Sequence, residues 1–450
     1  MSRTALMWFR RDLRLADNPA LLEAVRAGTD GVVPLFVLDD RLWAPAGPAR
    51  RAYLISSLAD LSDRIGRLHV RRGDPVHEVL AAAQRAGAHS VHIAADYGPY
   101  GSTRDTAVAT ALERHGIQLV RTGSPYAVAP GRVVKSDGRP YSVYSPYARA
   151  WREHGWRPPV AAPEGVPWVE QEPAILPALP GVAPMTLPEP GEAAALRRWS
   201  AYLNTGLAGY DEARNRPDLD ATSRMSVHLK WGEVHPRTLL ADLARRRSKG
   251  SEVYRRELAW RDFYADVLWH HPESAREHLR PEFSVMPFEP PGPAFDQWCA
   301  GRTGFPIVDA GMRQLLAEGW MHNRVRMIVA SFLVKDLHVE WQHGARHFMA
   351  RLVDGDQASN AHGWQWVGGS GTDAAPYFRV FNPVTQAERF DPAGDYVRRY
   401  VPELVGVAGA AVHRPWRLSG GIPGGYPAPI VDHAEQRRVA LSRYEAIRDP

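Results

Sequence analysis

Four short segments between residues 222 and 366 are dense in polar side chains that are expensive to bury. The one nearest the C-terminus contains Asp354, Gly355, Asp356, Asn360, Trp364 and Trp366. Two carboxylates around one glycine need donors when they are buried, such as sugar hydroxyls, ring N–H groups or an arginine. Asp-Gly-Asp alone is typical of a metal loop or a turn, but a calcium loop would carry a third carboxylate at fixed spacing and none follows here, so we expect no metal.

A second segment places Glu257, Trp260, Arg261 and Tyr264 at positions i, i+3, i+4 and i+7. On an α-helix these side chains share one face. A carboxylate, an indole and a guanidinium on one face can stack on a nucleobase and hydrogen-bond to its edge. A surface Glu–Arg pair beside a half-buried tryptophan would give the same spacing, so this segment alone leaves both interpretations open.

Two further segments contain groups suited to phosphate. The first comprises Thr222, Ser223, Arg224, Met225 and Ser226. Its hydroxyls and the N–H groups of a helix start could bind phosphate, although an ordinary helix cap would use the same residue types. The second includes His322, Asn323, Arg324, Arg326 and Met327. Helical spacing puts Asn323, Arg326 and Met327 on a face that could meet a cofactor and a flat ligand, whereas Arg324 points elsewhere and could meet phosphate.

The elements that must position these segments fall into three stretches. Residues 1–125 alternate apolar runs at 5–9, 32–38, 69–71, 90–94 and 118–120 with amphipathic helical patterns. This alternation predicts an α/β domain with a doubly wound, Rossmann-like parallel sheet. Residues 126–190 are rich in proline and predict a long irregular linker, and residues 191–450 have the periodicity of an all-α domain. No G-x-G-x-x-G motif follows the first strand, which argues against an ordinary NAD site.

Composition restricts the compartment and the partners. The net charge of +5 permits binding to nucleic acid without establishing it. A single cysteine, Cys299, allows no intramolecular disulfide, and no apolar run approaches the roughly 20 residues of a membrane span. The N-terminus carries four arginines within its first 14 residues and does not read as a signal peptide. We therefore expect a cytoplasmic monomer that does not bind membranes, associated with the nucleoid if it is bacterial.

At the four segments the chain resembles the photolyase/cryptochrome family, specifically the class I cyclobutane pyrimidine dimer DNA photolyases. The resemblance also covers WFRRDLRL at residues 8–15, GFPIVDA at residues 304–310 and TDAAPYFRVFNP at residues 372–383. It spans nearly the whole chain. It implies an N-terminal antenna-binding domain, a linker wrapped across the surface and a C-terminal helical domain that binds FAD and DNA.

The resemblance implies FAD folded back on itself, reduced and anionic in its active form. Tyr210 and residues 222–226 would hold its phosphates and nearby atoms, and Arg261 and Gly355 would also contact it. Asp354 and Asp356 would hold ring and ribose donors, and Arg326 would pair at the isoalloxazine. Asn360 resembles the residue that faces flavin N5.

The implied reaction is light-driven splitting of a pyrimidine dimer that has been flipped out of damaged DNA. Trp260 and Trp366 would flank the dimer, Met327 would touch it, and Glu257 and Asn323 would hydrogen-bond to base edges. His322 is assigned to the same DNA-binding surface, and Arg324 and Arg379 are the expected phosphate partners. Three tryptophans match the family's electron-transfer chain for flavin reduction: Trp364 near the flavin, then Trp341, then Trp298 toward the surface.

A second, light-harvesting chromophore is expected in the N-terminal domain. Its implied lining comprises Phe36, Asp39, Arg51, Asp96 and Tyr100. The surrounding sequence looks like that of members that use a deazaflavin. Gly98, however, stands where those members would carry an acidic residue, which leaves FMN, a folate or no antenna as alternatives.

Three other functions fit parts of the pattern. A cryptochrome-type photoreceptor would have the same fold without repair activity, but Glu257, Trp260, Met327 and Trp366 keep the residue types of repair enzymes. A (6-4) photolyase would carry a histidine-rich site near Asn323. An electron-transfer flavoprotein without a DNA partner would not need Trp260 and Trp366 in a cavity.

Overall fold

The computed structural model describes residues 3–169, 176–181, 185–372 and 378–448. In chain order its strands and α-helices are β1 (Thr4–Phe9), α1 (Pro19–Ala27), β2 (Gly31–Asp39), α2 (Asp40–Trp43), α3 (Pro48–Ile65), β3 (His69–Gly73), α4 (Pro75–Arg85), β4 (Ala88–Ile93), α5 (Pro99–Glu113), β5 (Gln118–Arg121), α6 (Tyr144–His154), α7 (Glu192–Thr205), α8 (Tyr210–Ala213), α9 (Ser226–Trp231), α10 (Pro236–Ala244), α11 (Lys249–His270), α12 (Pro293–Ala300), α13 (Pro306–Glu318), α14 (Asn323–Lys335), α15 (Trp341–Arg351), α16 (Gln357–Gly368), α17 (Pro383–Phe390), α18 (Asp395–Tyr400) and α19 (His433–Arg448).

The chain divides into two compact units. Unit 1 comprises residues 1–182, 187–208 and 223–272, and unit 2 comprises residues 183–186, 209–222 and 273–450. Unit 1 therefore holds the strands together with α1–α7 and α9–α11, whereas α8 and α12–α19 belong to unit 2. This grouping differs from the predicted domain boundaries after residues 125 and 190, because helices from beyond residue 190 group with the sheet.

The sheet of unit 1 is parallel, with the strand order β3-β2-β1-β4-β5. It confirms the predicted doubly wound fold, and each predicted strand agrees with the observed one to within two residues at either end. The central strand β1 is buried along its whole length, with Leu6 and Trp8 packed in one apolar cluster with Val79 of α4. Since both faces of such a strand are covered, it reads as a continuous apolar run.

From β1 the chain adds β2 and β3 on one side of the sheet and then β4 and β5 on the other, so the order of the strands reverses between β1 and β4 although all strands are parallel. Ligands in sheets of this kind bind outside the carboxyl ends of the strands at such a reversal. Asp39 ends β2, and Asp96 follows β4 at the same edge. The predicted antenna residues Asp39 and Asp96 are therefore delivered to one edge of the sheet.

Within its described residues, the predicted irregular linker contains the helix α6, which the proline count of the surrounding stretch obscured. Tyr147 and Trp151 lie one turn apart on α6 and are buried. Tyr147 packs on Phe263 of α11, with ring centroids 5.0 Å apart. Most prolines of the stretch lie at Pro158 or later, after α6 has ended, whereas Pro146 lies in the first turn of α6.

Unit 2 is built around α14, whose Val325, Val329 and Phe332 are fully buried. At Gly311 of α13 an added Cβ would lie 2.4 Å from Val325 Cγ1, so this glycine permits the close approach of α13 to α14. The arrangement confirms the predicted helical second half. Among the helices described, none is both long and apolar enough to cross a lipid bilayer.

Candidate functional site

In unit 2 a buried carboxylate meets an arginine across two segments. Arg326 of α14 donates from Nη2 to Oδ1 and Oδ2 of Asp354 at 3.1 and 2.8 Å, and from Nε to the Met321 carbonyl at 2.8 Å. The Asp354 side chain is only 2% exposed, so Arg326 supplies the opposite charge that a buried carboxylate requires. An arginine was one of the donors that the sequence offered for these acidic residues, and Arg326 is that donor for Asp354.

Helix α16 begins at this acidic segment and carries the next functional side chain. Asp356 caps the helix, because its Oδ1 accepts from the Ser359 N–H at 3.0 Å. One turn later Asn360 donates from Nδ2 to the Ala345 carbonyl of α15 at 3.0 Å. Since a carbonyl can only accept, the amide nitrogen must face α15, and Oδ1 of Asn360 is left as the acceptor that faces away from it.

Two residues predicted to bind phosphate also lie in unit 2. Tyr210 begins α8, and the guanidinium of Arg214 lies 5.7 Å from the centre of its ring. The hydroxyl of Thr222 is buried and has no hydrogen-bond partner within the described ranges. A buried hydroxyl without a partner is costly in a finished fold, so it marks a position where a ligand oxygen would complete the hydrogen bonding.

The three tryptophans of the predicted chain are all buried in unit 2. Trp364 and Trp298 are neighbours, with ring centroids 6.1 Å apart at an interplanar angle of 67°. Trp341 begins α15, and an added Cβ on Gly344, three residues later, would lie 2.2 Å from Trp364 Cη2. Helix α15 therefore packs closely against the Trp364 ring.

The expectation that Trp298 lies toward the surface is wrong, because its side chain is 0% exposed. Helix α12 turns Trp298 into the core of unit 2, where Nε1 donates to the Val329 carbonyl at 3.0 Å. His347 lies 5.5 Å from the same ring, and burial lowers the pKa of His347 to about 4, so this neighbour is neutral at pH 7.

The start of α14 shows which predicted substrate residues are accessible. Asn323 is exposed, and its Nδ2 lies 4.0 Å from Sδ of the half-buried Met327, so these two side chains share a face as predicted. His322 is only 2% exposed and caps α14 by accepting from the Arg324 N–H at 3.2 Å. The DNA contact predicted for His322 is therefore not supported, since its ring is used inside the fold.

Arg324 points away from that face, as predicted. Its Nη2 donates to Asn215 Oδ1 at 2.8 Å, and its guanidinium lies 4.4 Å from the centre of the Phe390 ring. Burial and the nearby charges of Arg214 and Arg389 lower its pKa to about 10, which leaves it cationic at neutral pH. Three arginines of unit 2 thus contribute positive charge in one region.

Arg379 and Trp366 are brought together in unit 2. The Arg379 guanidinium lies 4.7 Å from the centre of the Trp366 ring, a cation–π arrangement. Trp366 remains half-buried, so part of the ring can meet a ligand. Residues 373–377 of the predicted TDAAPYFRVFNP motif lie outside the described residues.

In unit 1 the second polar segment forms part of the long helix α11. Glu257 and Trp260 are half-buried, whereas Arg261 donates to the Pro125 and Leu229 carbonyls at 2.8 and 3.2 Å. The Arg261 guanidinium also lies 4.7 Å from the centre of the Tyr126 ring. These contacts occupy Arg261 in the packing of unit 1, and the cofactor contact predicted for it is left without support.

The 223–226 segment also belongs to unit 1. Ser223 Oγ lies 2.7 Å from the Tyr254 hydroxyl and accepts from the Met225 N–H at 3.3 Å. Arg224 has a positive φ of 53°, a backbone conformation that is uncommon for residues other than glycine. Ser226 is the first residue of α9. The segment is thus a tight turn that leads into a short helix, which agrees with the predicted helix start.

Three of the predicted antenna residues of unit 1, Asp39, Asp96 and Tyr100, are connected through Arg104, a residue that the sequence analysis did not identify. The Tyr100 hydroxyl donates to Asp39 Oδ2 at 2.5 Å, and Arg104 lies 5.8 Å from the Tyr100 ring centre and 3.2 Å from Asp96 Oδ2. Burial would raise the pKa of Asp96, but Arg104, Arg10 and Arg11 outweigh it, so this pKa is lowered and the carboxylate is ionised. The position of Arg104 one turn after Tyr100 was the signal available in the sequence.

The other antenna residues lie in β2 and α3. Phe36 is buried in β2, and Arg51 donates to the Trp43 and Ala44 carbonyls at 3.1 and 2.8 Å. Gly98 caps α5 with φ −70°, and its N–H donates to Asp96 Oδ1 at 3.1 Å. That backbone conformation would accept a side chain, so the glycine at this position is not required by the turn.

Comparison with known families accounts for this combination of a parallel sheet and a helical half. Residues 5–164 match the family model described as DNA photolyase, and residues 254–446 match the model described as FAD binding domain of DNA photolyase. A deoxyribodipyrimidine photo-lyase of Streptomyces griseus is 43% identical over 99% of both chains. The chain belongs to the DNA photolyase family.

Solved structures of photolyases are similar over the same length. A bacterial class III photolyase from Agrobacterium tumefaciens superposes with a TM-score of 0.93 at 37% identity and covers 100% of this chain and 98% of that one. An archaeal photolyase from Sulfolobus tokodaii, which contains two FAD molecules, gives a TM-score of 0.87 at 30% identity and covers 98% of this chain and 100% of that one. Membership of the photolyase family confirms the predicted family and fold.

Proposed function

We propose that this photolyase-family chain is a lyase that splits cyclobutane pyrimidine dimers in DNA in a light-dependent reaction, as a cytoplasmic monomer. The observation that carries the proposal is the similarity, over the full length, to relatives named deoxyribodipyrimidine photo-lyase. The FAD-binding family model over residues 254–446 supports FAD as the cofactor. When bound and reduced, FAD supplies one electron to the dimer on absorbing blue or near-ultraviolet light and takes it back after the cyclobutane ring opens, so no net redox change occurs.

The residues of unit 2 fit the chemistry of a reduced flavin. Asp354 offers a buried carboxylate to ring N–H donors, and Arg326 balances its charge. Asn360 offers Oδ1, and a protonated ring nitrogen of a reduced flavin is the complementary donor. The unpartnered Thr222 hydroxyl, with Tyr210, would contact the phosphates or nearby atoms. Asp356 and Gly355 complete this set, and Ser223, Arg224, Met225 and Ser226 are the corresponding candidates in unit 1.

The substrate side uses the accessible residues. Trp260 and Trp366 offer half-buried indole faces, on which bases stack. Glu257 and Asn323 supply hydrogen-bonding groups for base edges, and Met327 supplies an adaptable apolar contact. A hydrogen bond from a protonated Glu257 would stabilise the negative charge that develops on the dimer. We propose Arg324 and Arg379 as phosphate contacts, since both keep cationic groups in unit 2.

For the reduction of FAD, we propose electron transfer through the buried tryptophans of unit 2. Trp364 and Trp298 are in near contact, and Trp341 lies on the helix that packs against Trp364. A series of oxidisable rings shortens each transfer distance between a buried flavin and an outside donor. Because Trp298 is itself buried, a further group must connect it to solvent.

For light harvesting, we propose a second chromophore beside Asp39, Asp96 and Tyr100 of unit 1, with Phe36 and Arg51 nearby. A deazaflavin is our first assignment, and FMN or a folate are alternatives. The similarity to the Sulfolobus tokodaii protein that holds two FAD molecules adds a second FAD to these alternatives. Extraction of the pigments from purified protein, followed by their absorption spectra and masses, would decide among them.

The repair proposal is tested with an oligonucleotide that contains one thymine dimer. The purified protein with reduced flavin should restore thymine under blue light and not in the dark, and a (6-4) photoproduct should not be repaired. If FAD is bound but no thymine is restored, the cryptochrome-type photoreceptor becomes the better assignment.

Glu257 provides a sharper test within the same assay. Glu257→Ala should lower the repair yield per absorbed photon on the order of tenfold or more, because a hydrogen bond to a charged group is worth about 1.5–3 kcal/mol. The FAD content per protein should change much less. An equal loss of FAD and of repair would show that Glu257 is structural.

A further inference from the structure

A tyrosine of α6 covers one face of Trp260. Tyr144 and Trp260 are stacked with their ring centroids 3.7 Å apart and an interplanar angle of 5°. Both residues belong to unit 1 and both are half-buried. The short separation and the small angle are those of two rings stacked face to face.

Tyr144 is held in this position at two points of α11. Its hydroxyl donates to the Arg256 carbonyl at 2.8 Å, one turn before Trp260 on the same helix. Phe263 supports the stack from the side, because it meets the Tyr144 ring at 69° and the Trp260 ring at 72°. The ring, the hydroxyl and the lateral contact together fix the plane of the Trp260 indole.

From this geometry we infer that Tyr144 is a positioning residue for substrate, a role that rests on the proposed function of Trp260. Because Tyr144 covers one face of the Trp260 indole, a pyrimidine can stack only on the opposite face. One base of the bound dimer, Trp260 and Tyr144 would then form a stack of three rings. Tyr144 limits rotation of the indole before the dimer arrives, which lowers the entropy lost on binding. It acts through Trp260 and does not itself touch the dimer.

The inference predicts a specific loss of dimer recognition when the ring is removed. Tyr144→Leu should weaken Kd for dimer-containing DNA by about 3- to 10-fold, the range expected for loss of one aromatic pair. Affinity for the undamaged oligonucleotide should stay within about 2-fold, because phosphate contacts dominate it. Tyr144→Phe keeps the stacked ring and loses only the hydroxyl, so it should bind the dimer within about 2-fold of wild type.

A double-mutant cycle separates positioning from a general structural effect. Trp260→Ala should weaken dimer binding by about 5-fold or more, through loss of base stacking. In that background Tyr144→Leu should cause no further loss, since the ring that it positions is gone. Tyr141→Leu is the matched control: Tyr141 lies three residues earlier, contacts Tyr147 edge-on at 6.2 Å, and should leave dimer affinity unchanged.

The outcomes are distinguishable. FAD content and circular dichroism establish that each variant is folded, and Tyr144→Met replaces Tyr144→Leu if the latter does not fold. The role of Tyr144 would be overturned if the losses from Tyr144→Leu and Trp260→Ala added up in the double variant. It would also be overturned if Tyr144→Leu and Tyr144→Met both bound the dimer as tightly as wild type. Neither result would affect repair by the wild type. Failure of the wild type itself to bind or repair dimers would instead refute the proposed function.

Discussion

Gly344→Ala tests whether Trp364 is packed against α15 as tightly as the structure shows. An added Cβ would lie 2.2 and 2.6 Å from Trp364 Cη2 and Cζ3, and 2.6 Å from Leu333 Cδ2. Overpacking of this kind costs about 1–3 kcal/mol. Alanine favours a helix interior over glycine by about 1 kcal/mol, which offsets part of the cost. We therefore expect a net loss of up to about 2 kcal/mol in the free energy of unfolding.

The measurement is a urea titration of the FAD-bound protein, followed by far-ultraviolet circular dichroism, for Gly344→Ala alone and in a Trp364→Phe background. Phenylalanine lacks the indole atoms that clash, and the remaining contact is the flexible end of Leu333. The same alanine should then cost much less or become stabilising. If Gly344→Ala were more stable than wild type by about 1 kcal/mol, the helix-propensity gain would be unopposed and the packing of Trp364 on α15 would be wrong.

Three further predictions follow from the site and its surroundings. Trp364→Phe should block photoreduction of oxidised FAD but spare dimer repair once the flavin is chemically reduced; unimpaired photoreduction would remove Trp364 from the electron-transfer chain. Affinity for dimer DNA should fall with salt, and Arg324→Ala should reduce the slope of log Kd against log salt by about one, as expected for one lost phosphate contact; an unchanged slope would place Arg324 away from DNA. Burial raises the pKa of Asp262 to about 6, so its contribution to stability is fully present below its unfolded value of 3.8 and is lost as the pH rises through about 6. Asp262→Asn should therefore gain stability relative to wild type between pH 4 and 7, on the order of 3 kcal/mol from a shift of about two pKa units; a difference that does not vary with pH would refute the shift.

The sheet of unit 1 was predictable because its signals are local. Apolar runs mark its strands, and several of its helices begin with a proline or are followed by a glycine, as α1 does with Pro19 and Gly28. Helix α6 was missed because the prolines after it dominate the stretch, while its own evidence is only Tyr147 and Trp151 one turn apart. The Rossmann-like topology follows from the alternation of elements, but the grouping of α7 and α9–α11 with the sheet depends on contacts distant in sequence.

The sequence predicted which residues of the candidate site share a helix face. It predicted less well how deeply each side chain is buried and how its polar atoms are oriented. Spacing put Asn323 and Met327 on one face, and the structure agrees. Spacing says nothing about how deep a face lies, which is why Trp298 and His322 were expected nearer the surface than they are. The orientation of the Asn360 amide is set by the Ala345 carbonyl on another helix, and no pattern in the sequence reveals it.

The most direct test of the account is an action spectrum for thymine restoration in dimer-containing DNA, measured with the wild-type protein after its flavin has been reduced. Repair per incident photon should follow the absorption of the bound reduced flavin, with any second chromophore adding its own band, and should be absent in the dark. Tight binding of dimer DNA with no thymine restored at any wavelength would contradict light-driven repair.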